Sequence, residues 1–176
     1  VTEQPEADAS VDATAALIAH LTREGLTVAT AESLTAGALT AELTRPAGAS
    51  AVVVGGVVVY ATPLKHTLAG VDAALLAEHG PVHPEVARQL ARGVRSCLAV
   101  DGRGADIGVA TTGVAGPDGQ GGRAPGTVFV GISYGDVDEA LELSLDGDRM
   151  QIRAETVRRA VAALVERFLS SPAAVE

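Results

Sequence analysis

Apolar positions along this chain follow two rhythms, and their alternation outlines a fold. Leu17, Ile18 and Leu21 share one helical face, which predicts a helix from near Asp12 until Gly25 stops it. LTVATA at 26–31 reads as a short buried strand. Helical spacing returns from Ser33 to about Arg45 through Leu34, Leu39 and Leu43, closed by Pro46 and Gly48. The run AVVVGGVVVY at 51–60 is apolar on both faces, the pattern of a central strand covered on both sides. Gly55 and Gly56 inside it predict a bulge or the close approach of another backbone. A turn or short helix at 62–69, a helix near 72–79 and a longer one at about 84–99 follow. ADIGVAT at 105–111 is a second buried strand, leading into the glycine-rich TGVAGPDGQGGRAPG. Strands near 127–134 and 138–145 form a hairpin around Gly135-Asp136, and a terminal helix runs from about Asp148 to Leu169. This order predicts an α/β fold: a three-layer α/β/α arrangement with a mixed β-sheet in a single domain. The domain is expected over 13–170, between a disordered acidic tail at 1–12 and a flexible C-terminus at 171–176.

Composition narrows the function. The 176 residues suit one domain, and a hydrophobic content of 47% can bury a core. With 2% aromatics and no Trp, that core must be built of Ala, Val and Leu. A net charge of -9 with no pooled basic residues argues against nucleic acid as a partner. No apolar run approaches the roughly 20 residues of a membrane span, and the acidic N-terminus is unlike a signal peptide, so a soluble, cytoplasmic protein without a membrane partner is expected. The single cysteine, Cys97, excludes a disulfide scaffold. Among Val94, Leu98 and Val100 it is expected to be a buried, inert thiol. The four histidines show no metal-ligand spacing, so no metal is expected.

The chain carries 12 Arg and one Lys, Lys65. Arg cannot release its proton in a protein, whereas a desolvated Lys can act as a neutral amine base. A lone surviving surface Lys is the alternative. Ser33, in TAESLTAG, falls where a strand ends and the next helix begins, a position whose commonest use is an N-cap and which also suits a nucleophile under helix N–H groups. Tyr60 and Lys65 lie just beyond the end of the 51–60 strand, where open α/β sheets gather ligands. There Lys65 could deprotonate Ser33, with Tyr60 orienting either group; a solvated Lys and an edge-capping Tyr fit as well. His66 offers a Ser–His pairing instead. ATTGVAGPDGQGG lacks the Lys-Ser/Thr ending of a P-loop but could expose N–H groups to an anion, or be a surface loop with a Pro117-Asp118-Gly119 turn. Arg149 opens the last helix against its macrodipole, a conflict relieved if it meets an anion.

Taken in order, TVATAESLTAG, GGVVVYATPLK followed by LAGV, TTGVAGPDG, GTVFVGI and DGDR resemble the CinA C-terminal domain family, over residues 13 to about 168. Its free-standing members are nicotinamide-nucleotide amidases of the PncC type. The resemblance implies hydrolysis of nicotinamide mononucleotide to nicotinate mononucleotide and ammonia, in pyridine-nucleotide salvage, by a Ser–Lys dyad without metal or cofactor. The serine of the family's ES-x-T motif falls on Ser33, and the lysine downstream of the family's tyrosine, Tyr60, falls on Lys65. Substrate contacts are expected from Thr35, Gly37, Thr112, Gly113, Gly116 and Arg149, with backbone N–H groups of 33–37 or 112–113 facing the oxyanion. Arg149 and the 113–122 loop would hold phosphate and ribose. Three positions depart from the family: Ala36 replaces the first glycine of ES-x-T-G-G, and Leu34 and Pro63 stand where polar or small residues are common. Longer members add an N-terminal nucleotide-binding domain, for which these 176 residues leave no room. The expected partner is a small-molecule nucleotide, in a homo-oligomer with a dimer favoured. A serine hydrolase of another small amide and a non-catalytic competence- or damage-associated binding protein are the alternatives.

Overall fold

The computed structural model describes residues 12–170; the expectations for the acidic tail and the last six residues fall outside it, apart from Asp12. Asp12 is ordered: its carboxylate accepts from the N–H groups of Thr14 and Ala15 and caps α1 (Ala13–Glu24), which ends at Gly25 in the left-handed region. The remaining elements are β1 (Val28–Glu32), α2 (Ala38–Thr44), β2 (Val53–Val58), α3 (Thr62–Ala69), α4 (Ala73–His79), α5 (Pro84–Cys97), β3 (Ile107–Gly113), β4 (Thr127–Tyr134), β5 (Val137–Ser144) and α6 (Arg149–Leu169). The five strands form one mixed sheet in the order β2-β1-β3-β4-β5. β1 runs parallel to β2 and β3, and β3-β4-β5 is antiparallel.

Alternation along the strands sends side chains to two cores. Val28, Ile107, Val109, Val128 and Val130 meet Leu17, Leu21, Leu39, Leu43 and Ile152 from α1, α2 and α6. Ala29, Ala31 and Ala110 face the other way, toward Val86, Leu90, Ala91 and Val94 of α5. Small residues on this second face let α5 lie close: a Cβ built on Gly108 would stand 1.8 Å from the Ala91 carbonyl oxygen. Helices on both faces of a mixed sheet are the three-layer arrangement the sequence pattern predicts.

Three expectations are corrected. The 51–60 run is an edge strand, β2, not a central one. The bulge is present, with Val28 opposite Val53 and Ala29 opposite Gly55. The helix predicted from Ser33 starts at Ala38, and residues 33–37 form a turn. Cys97 is exposed, because α5 ends there and Leu98 takes the inward position. Among the described residues no helix is long and apolar enough to cross a membrane.

Candidate active site

β1, β2 and β3 run parallel, so their carboxyl ends open on one rim of the sheet, and the segments leaving them surround a cavity of about 310 Å³. The turn after β1 supplies Ser33 and Leu34, and the chain leaving β2 supplies Tyr60 and, from α3, Lys65. The segment leaving β3 supplies Gly113 to Gly116 and Asp118 to Gln120 (Pro117 apart), beside Thr112 at the strand's end. Pro81 and Val82, before α5, and Arg149, the first residue of α6, complete the wall.

The turn is held from several sides. Glu32, fully buried at the end of β1, accepts hydrogen bonds from the N–H groups of Gly37, Leu39 and Thr40 and from the Thr40 hydroxyl. A carboxylate thus satisfies the first N–H groups of α2, the task assigned by sequence to Ser33. The Ser33 N–H donates to the Thr111 carbonyl, and the Thr35 and Thr111 hydroxyls are 2.8 Å apart. From α6, Arg153 donates to the carbonyl oxygens of Leu34 and Thr35. Ala36 takes φ of 51°, in the left-handed region, and is exposed.

Ser33 is thereby free of capping duty, and its Oγ accepts a hydrogen bond from Lys65 Nζ at 3.1 Å. Nζ also donates to the Val59 carbonyl at 2.7 Å. Lys65 is 1% exposed, and among the described residues it takes part in no ion pair. Removal from water without a compensating anion pulls the ammonium down to about 8. A base half-neutral near that pH beside a serine hydroxyl can take its proton and later return it.

Tyr60 also lines the cavity, but it is partnered elsewhere: Arg149 donates to the Tyr60 hydroxyl at 3.0 Å and to the Gly116 carbonyl at 2.9 Å. This bridge joins the exit of β2, the glycine-rich loop and α6 across the cavity wall. Thr112, Gly113 and Gly116 line the cavity as well, and the Thr112 hydroxyl donates to the Pro81 carbonyl. Thr35 and Gly37 lie outside the wall: Thr35 is fully buried against Thr111, and Gly37 donates to Glu32. His66 is also elsewhere, its Nδ1 2.8 Å from the Val71 carbonyl, whereas Lys65 is the side chain that contacts Ser33 Oγ. Sequence reasoning missed Glu32, Arg153 and the Pro81-Val82 wall. A carboxylate between a buried strand and a turn signalled the first of them; the others required the tertiary fold.

The family model for the CinA C-terminal domain matches residues 11–168. The chain belongs to the CinA C-terminal domain family. A CinA superfamily protein of Klebsiella pneumoniae shares 31% identity with a TM-score of 0.84, over 91% of this chain and 98% of that one. The competence/damage inducible protein of Agrobacterium tumefaciens shares 34% identity with a TM-score of 0.80, over 88% and 92%. A CinA-like protein of Frankia casuarinae is 43% identical over 150 residues, 85% of this chain and 33% of that protein. This CinA domain thus spans about a third of the length of the curated relatives it matches.

Proposed function

We propose that this CinA domain is an amidohydrolase that converts nicotinamide mononucleotide to nicotinate mononucleotide and ammonia through Ser33 and Lys65. The observation that carries the reading is the 3.1 Å contact between Ser33 Oγ and the buried, anion-free Lys65 Nζ in the wall of a polar cavity. Neutral Lys65 takes the Ser33 proton as Oγ bonds to the carboxamide carbon. The N–H of Leu34, a residue of the cavity wall, has no acceptor within the chain among the described residues and is suited to the developing oxyanion. The carbon–nitrogen bond then breaks, and the Lys65 ammonium returns its proton to the departing nitrogen, releasing ammonia. Water adds to the acyl-enzyme, giving a proton to Lys65, and Oγ leaves with that proton restored. Arg149, with its guanidinium at the cavity wall, supports recognition of the nucleotide phosphate.

The test is ammonia release from nicotinamide mononucleotide by the wild type and by Ser33→Ala, Lys65→Ala and Lys65→Arg. Turnover is expected in the wild type alone, with circular dichroism unchanged across the series. Its kcat/KM is expected to climb about tenfold per pH unit below about 8 and level off above, as the amine becomes neutral. An active Lys65→Arg enzyme would exclude Lys65 as the base. An inert, folded wild type that releases ammonia from other small amides would replace the substrate and keep the dyad.

A further inference from the structure

Three charged side chains line the cavity: Lys65, Asp118 and Arg149. Among the described residues none of them takes part in an ion pair. Asp118 is the one carboxylate among the residues of the wall, and it is exposed. Its backbone is anchored on both sides. Ahead of it, Arg149 donates to the Gly116 carbonyl at 2.9 Å. Beyond it, Gln120 and Arg123 exchange N–H···O bonds of 3.0 and 2.9 Å around Gly121 and Gly122, both in left-handed backbone, so a two-residue turn closes the loop tip. Gly119 backs directly on that turn, since a Cβ there would stand 2.8 Å from the Arg123 carbonyl oxygen.

The proposed reaction gives this fixed negative charge a task. Substrate and product share the pyridinium ring, the ribose and the phosphate, and differ in one group: a neutral carboxamide becomes a carboxylate. The new anion forms beside Lys65, because the Ser33 Oγ that carries the acyl group is 3.1 Å from Nζ. A carboxylic acid is far more acidic than an amine that holds its proton to about 8, so the acid's proton passes to Lys65 and the product lies against an ammonium. In a wall charged only by cations, that attraction would hold the product and block the next turnover. The cavity is small, about 310 Å³, which leaves each wall charge within the roughly 8 Å screening length of a ligand that fills it.

We propose that Asp118 is a specificity-determining residue, whose carboxylate disfavours the carboxylate product relative to the carboxamide substrate and so opposes product inhibition. The proposal rests on the amidase reading of Ser33 and Lys65.

It is tested by calorimetric titration of full chains carrying Ser33→Ala, which cannot form the acyl-enzyme, with nicotinamide mononucleotide and nicotinate mononucleotide as the two ligands. The readout is the ratio of product Kd to substrate Kd, from which contacts common to both ligands cancel. A unit charge about 8 Å away under an effective dielectric of about 20 shifts a binding constant by about 30-fold, which solvent at an exposed loop reduces to about tenfold. Asp118→Asn, equal in shape but uncharged, is therefore expected to lower the ratio about tenfold, and Asp118→Glu to keep it within about twofold of the parent. In about 0.5 M salt the gap between the Asn variant and the parent should narrow to about threefold or less. In chains that keep Ser33, Asp118→Asn is expected to strengthen product inhibition of ammonia release, relative to KM, by the same factor. A ratio within about twofold of the parent in the Asn variant overturns the proposal, and turnover of the nucleotide by the wild type then leaves the amidase reading standing. A ratio that falls as far in the Glu variant, or equally at high salt, overturns it too, because the effect is then one of shape. A wild type inert toward the nucleotide, with Ser33→Ala chains whose ratio still falls in the Asn variant, sinks the amidase reading and keeps Asp118 as the group that selects against the carboxylate ligand. Chains that bind neither ligand remove both.

Discussion

An ε-amine in water holds its proton to about 10.5, whereas in the folded chain Lys65 releases it near 8. Between those values the unfolded chain binds one proton more than the folded one, so stability rises with pH by about 1.4 kcal/mol per unit. Below about 8 both states hold the proton and the full cost of burying the ammonium is present. Relative to a chain without this group, the wild type should therefore gain about 2.5 kcal/mol between pH 7 and pH 10. Lys65→Met is the comparison of choice, since an unbranched chain of similar length refills the site. At pH 7 the variant is relieved of a penalty of about 3 kcal/mol. It also leaves the Val59 carbonyl without its donor, which costs about 1–3 kcal/mol, so the difference at one pH is small and uninformative. The carbonyl term does not depend on pH, and every other titrating group cancels in the difference. Urea unfolding of both proteins at half-unit steps from pH 7 to pH 10 should show the wild type gaining on the variant, with the rise steepening near 8. A difference flat to within about 0.5 kcal/mol would mean that Lys65 keeps an ordinary pKa, and the proposed base would be protonated wherever the enzyme works.

Two further outcomes follow from the turn around Ser33. Ala36 occupies left-handed backbone with its methyl in solvent, so Ala36→Gly should stabilise the fold by about 1 kcal/mol and leave kcat unchanged, measured by thermal unfolding and ammonia release. A destabilised Ala36→Gly would mean that the methyl packs after all. Glu32→Gln replaces an all-acceptor group facing four donors with one that carries N–H groups of its own. A loss of about 3 kcal/mol is expected in urea unfolding, accompanied by a fall in kcat, and a loss below about 1 kcal/mol would contradict its anchoring of the turn to α2.

The number and order of the elements were legible because apolar periodicity reports which faces of a segment are covered. It does not report hydrogen bonding at a strand's sides, which is why β2 read as central. Both its faces are approached: a Cβ on Gly56 would stand 2.3 Å from Thr40 Oγ1 of α2, and one on Gly55 3.6 Å from Leu98 beyond α5. Its outer backbone edge is unpaired, and Gly56 and Val58 are exposed. Ser33 read as a helix cap because local rules look one to three residues ahead, whereas the anchoring carboxylate of Glu32 reaches five to eight residues along the chain. Cys97 was misplaced at a helix end, where a shift of one residue turns the side chain outward. The rarity of Lys65 singled it out but fitted a surface residue as well, and its burial against Ser33 emerged only with the tertiary fold. Arg153 carried no signal, since its partners are backbone atoms more than a hundred residues away.

The solitary amine has a practical consequence. A chain whose one lysine side chain is sealed under α3 offers acylating reagents no ε-amine while it stays folded. Each opening that frees Lys65 would expose a single defined reaction point, so the speed of its chemical tagging would count excursions from the native state. The same residue that is proposed to drive turnover would then serve as an internal gauge of how often the fold comes apart.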